Sequence, residues 1–147
     1  MKRLILASLM LLPASLYASN SIDVPNTKYT PGSVITTDVN TVCQQTYRPP
    51  TISEATKKKA SEYYGKMQCA TKGCEYDMLI SANLGGSNDI KNIWVQPYDG
   101  IWNVTAKNKL EDRLHLMVCS KQMELDDAQH LMLNWKTSYS RYFGTPL

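Results

Sequence analysis

The chain has 147 residues, with 16 Lys and Arg against 13 Asp and Glu, a formal net charge of +3, and 43% hydrophobic residues. Its length allows one modest hydrophobic core and no second domain of any size. Its near balance of charge excludes the summed basic field that drives sequence-blind binding to phosphates, so any nucleic-acid contact would need a local patch.

Met1-Lys2-Arg3 opens the chain, an almost wholly apolar run follows from Leu4 to Leu12, and small apolar residues continue from Pro13 to Ala18. A charged start, an apolar stretch of that length and small residues before a polar segment are the pattern of a secretory signal peptide, here residues 1–18, with cleavage after Ala18 or, as second choice, after Ser19. Spanning a bilayer takes about 20 apolar residues, and Pro13 interrupts this run. Nothing downstream is long or apolar enough to cross a membrane, so no insertion is expected after cleavage. Loss of Lys2 and Arg3 with the signal would take the 16 basic residues to 14 against 13 acidic ones. The destination this predicts is the periplasm or the exterior of a bacterial cell.

Residues 19–41 are rich in Ser, Thr, Asn, Asp and Pro without helical or alternating period, and read as an extended, mobile polar arm. The globular part is expected over 42–147. Thr51 with Glu54 has the spacing of a capping box, the stretch from Ala55 to Tyr64 has no breaker, and Gly65 suits the position just past a helix end. Lys57-Lys58-Lys59 on that helix reads as a solvated face. Cys43, Cys69, Cys74 and Cys119 form an even set behind an export signal, which favours two disulfides. Cys69 and Cys74 bracket a short loop that can close locally, and Cys43 with Cys119 would then tie the lead-in to a later helix. A zinc site is the rival, but a single C-x4-C without partner spacing is poor support for one.

From Tyr76 to Trp94 the chain reads as an apolar strand, a reversal at Gly85-Gly86, a polar loop ending in Asn92 and a second apolar strand. A helical pattern starts near Trp102-Asn103 and continues through Leu110, Leu114 and Met117 to Cys119. Asp126 with Gln129 has the spacing of a second capping box. Ala128, Leu131, Met132, Trp135, Tyr139 and Tyr142 then share one broad apolar face through to Gly144, which reads as core. Strand, loop, strand and helix make a compact ββα unit.

These residues carry a resemblance. The run is similar to a bacterial and phage group of HNH endonucleases, whose motif reads roughly Asp-His-x-Ile-Pro-Leu-x-x-Gly-Gly-x-x-x-x-x-x-Asn-Leu-Trp-Pro-Gln. Matching positions are Asp77, Ile80, Gly85, Gly86, Asn92, Trp94, Gln96 and Pro97. The likeness continues through Trp102-Asn103, Lys107, Leu110-Glu111, Leu114-His115, Val118-Cys119, Leu125, Ala128-Gln129 and Trp135. Upstream, Cys43 and Arg48-Pro49-Pro50 resemble the lead-in, so blocks of motif cover about 42–143. The resemblance implies an α+β fold with a small ββα-metal core, flanking helices and a disulfide staple.

Two departures bear on activity. The family's general-base histidine follows the aspartate, and here that position is Met78. Its metal-binding histidine lies two residues before the lysine, and here that position is Thr105. Phosphodiester hydrolysis needs an activated water and a cation on the phosphate. A thioether cannot exchange a proton near neutral pH, and a threonine hydroxyl is a far poorer transition-metal ligand than an imidazole. The resemblance therefore implies a secreted pseudoenzyme with no catalytic residues and no cofactor, serving as a binding module for an unknown protein or nucleic acid. Asp77, Asn92, Lys107 and Asn108 would be its residual site, with Asp77 at most a weak metal ligand. The alternative is an active endonuclease using Mg²⁺ or Mn²⁺ in a site rebuilt from Asp77, Thr105 and Asn108. His115, ten residues past Thr105 or about 15 Å along a helix, cannot reach that site. His130 reads as structural or surface, and Asn92 as a scaffold residue that bonds backbone on both sides of the loop.

Overall fold

Residues 23–65 and 73–146 are described by the computed structural model. The expected signal peptide, the first residues of the arm and Cys69 lie outside these residues. Among the described residues the fold is mixed α+β: a two-stranded antiparallel sheet and five helices. No helix among them is long and apolar enough to cross a membrane.

A one-turn helix, α1 (Val39–Val42), is capped by Asp38, whose carboxylate accepts the Asn40 amide. Helix α2 (Glu54–Tyr64) begins two residues later than the expected capping box, because Ser53 is the cap and its Oγ accepts the Thr56 amide at 3.1 Å. Thr51 instead offers its carbonyl to Asn88 Nδ2 at 2.8 Å, and Glu54 pairs with Lys57. Gly65 closes the helix with φ +76°, as its sequence position predicts.

Strands β1 (Cys74–Met78) and β2 (Ile93–Pro97) pair so that Asp77 faces Trp94 and Met78 faces Ile93. All five β2 residues are buried because both faces of the ribbon are covered. Met78, Ile93 and Val95 pack with Ala60 of α2 on one face. On the other face, Asp77 and Trp94 meet helix α3 (Val104–Cys119), which Asn103 caps by accepting the Ala106 amide at 3.0 Å. Leu110, Leu114 and Val118 of α3 are buried at a strict four-residue spacing, leaving Met117 to the side. They pack against α4 (Leu125–Leu133) and α5 (Trp135–Phe143) in the larger core cluster with Leu84, Met132 and Trp135.

The expected C-terminal helix is two helices, because Asn134 leaves helical geometry at φ −122°, ψ 47°. Ser138 Oγ donates to the Leu131 carbonyl at 2.7 Å across the break, and Trp135 is fully buried. The Asp126–Gln129 box does not form. Glu124 occupies the cap without a side-chain bond, and Gln129 turns inward, where Nε2 donates to Thr36 O at 3.0 Å and Leu84 O at 2.8 Å. Satisfying two inward-facing carbonyls outweighs one exposed cap bond.

From residue 23 onward the expected extended, mobile arm is instead strapped along the domain, with a turn at residues 27–29 and its last residues in α1. The reason is that its backbone and Thr30 find partners on the ββ unit. Thr30 is fully buried and its Oγ1 donates to Ile93 O at 2.9 Å. Gly32 N donates to Lys91 O, Val34 bridges Gly86, and Tyr29 stacks on Tyr63 with centroids 4.7 Å apart. Cys43 and Cys119 form a disulfide across 76 residues of sequence, with Cα atoms 5.4 Å apart, as the cysteine set predicts. Cys74 is also disulfide-bonded.

Candidate functional site

The 79–92 connection is built around Asn92. Its Oδ1 accepts the Ile80 amide at 2.9 Å, and its Nδ2 donates to the carbonyls of Ile80 at 3.0 Å and Ser87 at 2.8 Å. A side chain that is 0% exposed therefore ties both ends of the loop to one amide. Gly85 takes φ +80°, while Gly86 serves close approach: a Cβ there would lie 1.8 Å from Ile80 O. Asn92→Ala is expected to cost about 2–3 kcal/mol, since three buried backbone groups lose partners. Urea denaturation measures this, and a loss under about 0.5 kcal/mol would contradict the role.

This loop holds the end of β1 against α3. Lys107, 0% exposed, reaches across with Nζ 2.7 Å from Asp77 Oδ2 and 2.7 Å from the Met78 carbonyl to which it donates, and it also pairs with Glu111 one turn along. Trp94 Nε1 donates to the same Asp77 Oδ2 at 2.8 Å. Asp77 is thus a buried strand residue bound to an ammonium and an indole. It does not sit on a solvated loop.

One ammonium faces two carboxylates, so the cluster keeps one negative charge. Burial first, then the like charge of Asp77, pushes the Glu111 carboxyl above its ordinary 4.5 although Lys107 pulls it down. For Lys107, burial works against the charge, but the two carboxylates together raise it above 10.5. A raised folded value means that the Glu111 contribution is complete below 4.5 and is lost as pH rises through the folded value. Glu111→Gln should therefore be within about 1 kcal/mol of the parent at neutral pH, with its relative stability falling towards about pH 4. Urea midpoints across that range test the sign. A mutant about 3 kcal/mol weaker at neutral pH would mean that Glu111 is a full partner of Lys107.

Beside the cluster lies an open cleft of about 490 Å³, lined by Pro49, Pro50 and Ile52, by Glu75 to Met78, by Ser81 to Asn83, and by Asn108, Glu111 and Asp112 of α3. Four carboxylate residues line it, and among the described residues no Lys or Arg does. Met78 faces both the cleft and the α2-side core. Asn108 lines the cleft with Asp77. Thr105 is exposed one turn earlier on α3 and is not among the lining residues. Asn92 lies behind the loop, and Lys107 lies beneath the cleft wall.

Neither histidine lines the cleft. His115 Nε2 lies 3.2 Å from Val42 O and 3.3 Å from Cys119 Sγ at the disulfide. His130 is exposed on α4, with Nδ1 bonded to the Asp126 carbonyl at 2.9 Å. Sequence reasoning gave no role to Glu75, Glu111, Asp112 or the indole of Trp94. The Lys107–Glu111 spacing of four residues on a helix was a usable signal for one of them. Compared with protein-family models, curated proteins and solved structures, the chain matches none.

Proposed function

We propose that the chain is a secreted, catalytically inactive HNH-endonuclease-like domain, a binding module whose cleft receives a cationic segment of a partner protein. The carrying observation is that the cleft beside Asp77 has no imidazole, while Asp77 itself is held by Lys107 and Trp94. Without an imidazole, the cleft lacks the base through which the resembled motif would take a proton from water. Glu75, Asp112 and the one negative charge left on the Lys107 cluster would repel a phosphodiester backbone and favour a Lys or Arg side chain. The motif blocks from Asp77 through Trp135 support the family part of the reading, and the export pattern of residues 1–18 supports its location.

Isothermal titration with an Arg- and Lys-rich peptide, and separately with duplex DNA, tests the partner class. Peptide binding that weakens with salt is expected. Glu75→Gln with Asp112→Asn should reduce it, at up to about 1 kcal/mol or fivefold per exposed pair. Binding of DNA in preference to the peptide would overturn the protein-partner reading.

A second reading has its own observation. Asn108 lines the cleft with four carboxylates, and oxygen ligands suit Mg²⁺ or Mn²⁺. A metal-dependent nuclease would then work from Asp77 and Asn108, and cleavage assays separate it from a binder.

A further inference from the structure

Away from the cleft, Cys43, His115 and Cys119 bring two sulfurs and one imidazole nitrogen within 4.8 Å of one another. All three residues are half-buried, at the junction of the α1 lead-in and the end of α3. His115 and Cys119 are four apart on one helix, so their side chains share a face. A tetrahedral zinc ion, with sulfur at about 2.3 Å and nitrogen at about 2.0–2.1 Å, places those two donors about 3.6 Å apart. The Nε2–Sγ separation here is 3.3 Å. The donor spacing is thus close to that of a metal site, and the sulfur–sulfur bond together with the Nε2 bond to the Val42 carbonyl keeps one out.

We propose that the Cys43–Cys119 disulfide masks a zinc site that opens on reduction. A thiol or phosphine reductant supplies two electrons, the sulfur–sulfur bond breaks, and two protons from solvent give two thiols. Zinc binding releases both protons, leaving two thiolates and one imidazole on the ion, with the fourth position open to water. In the oxidised protein Nε2 is the donor to the Val42 carbonyl, since a carbonyl can only accept. Metal binding moves that ring proton to Nδ1, so the histidine stays neutral. Two thiolates and an imidazole select a soft or borderline ion such as Zn²⁺ over Mg²⁺ or Mn²⁺. The site is chemically separate from the oxygen-lined cleft.

Co²⁺ serves as the spectroscopic probe and Zn²⁺ as its competitor, on the full mature chain reduced by a phosphine, desalted without air and followed by far-ultraviolet circular dichroism. The expected result is thiolate-to-cobalt charge transfer and tetrahedral visible bands at one ion per chain, displaced by Zn²⁺ and absent from the oxidised protein. His115→Gln, checked as folded in its oxidised form, should weaken binding at least about tenfold, the low end for loss of even an outer partner of a metal ligand. Equal binding by this variant would assign the metal to other thiols and overturn the proposal. No cobalt spectrum from reduced, folded protein would also overturn it. So would reduced protein that has lost its helical signal and does not regain it with Zn²⁺.

Discussion

Lys107→Met is expected to cost about 3–5 kcal/mol of folding stability, because it leaves two buried carboxylates with no cation. The lysine stem is as fully enclosed as Leu110 or Trp94, so methionine fills similar volume and the loss is mainly electrostatic. Asp77 would keep only the indole of Trp94, and the Met78 carbonyl would lose its donor. The test is chemical denaturation of the single variant beside a triple variant that adds Asp77→Asn and Glu111→Gln. Removing the charges should return at least half of the loss, since an apolar or neutral cluster avoids the burial cost that an unpaired carboxylate carries. A single variant within about 1 kcal/mol of the parent would mean that the cluster is hydrated and the lysine dispensable.

Cys43→Ala with Cys119→Ala is expected to lower stability by about 4 kcal/mol through the greater freedom of the unfolded chain. The cross-link closes a loop of 76 residues, which contains α2, both strands and most of α3. Against a total of about 5–15 kcal/mol for a domain, such a loss moves the urea midpoint far without abolishing folding. Comparing oxidised parent and double variant in urea measures it. A difference below about 1 kcal/mol would mean that the unlinked chain is already held together in its unfolded state.

The same residues show what the sequence could and could not disclose. The strand–loop–strand–helix order was legible because Gly85-Gly86 and Asn92 have few other uses at that spacing, and the structure gives each a specific backbone contact. The Cys43–Cys119 link followed from the even cysteine count and the local pairing expected of the other two. Helix starts were displaced or misread where two capping residues compete: Ser53 takes the place expected for Thr51, and Gln129 turns inward to carbonyls that only the folded chain brings near. The break at Asn134 left no signature, because Ala128, Met132, Trp135 and Tyr139 keep one continuous period across it. The state of Asp77 was the least legible feature. Its burial arises from pairing with Trp94 across the ribbon and with Lys107 from α3, contacts separated by 17 and 30 positions in sequence. The acidic cleft likewise gathers Glu75 and Asp112 from different elements, and no local pattern links them.

Plasmid nicking by the folded, oxidised protein with Mg²⁺ and with Mn²⁺ tests the central claim most directly. A cleft without an imidazole, whose Asp77 is held by an ammonium and an indole, predicts no conversion of supercoiled DNA above the buffer rate. Metal-dependent nicking that Asp77→Ala or Asn108→Ala abolishes would contradict the claim and make this cleft the active site of a nuclease.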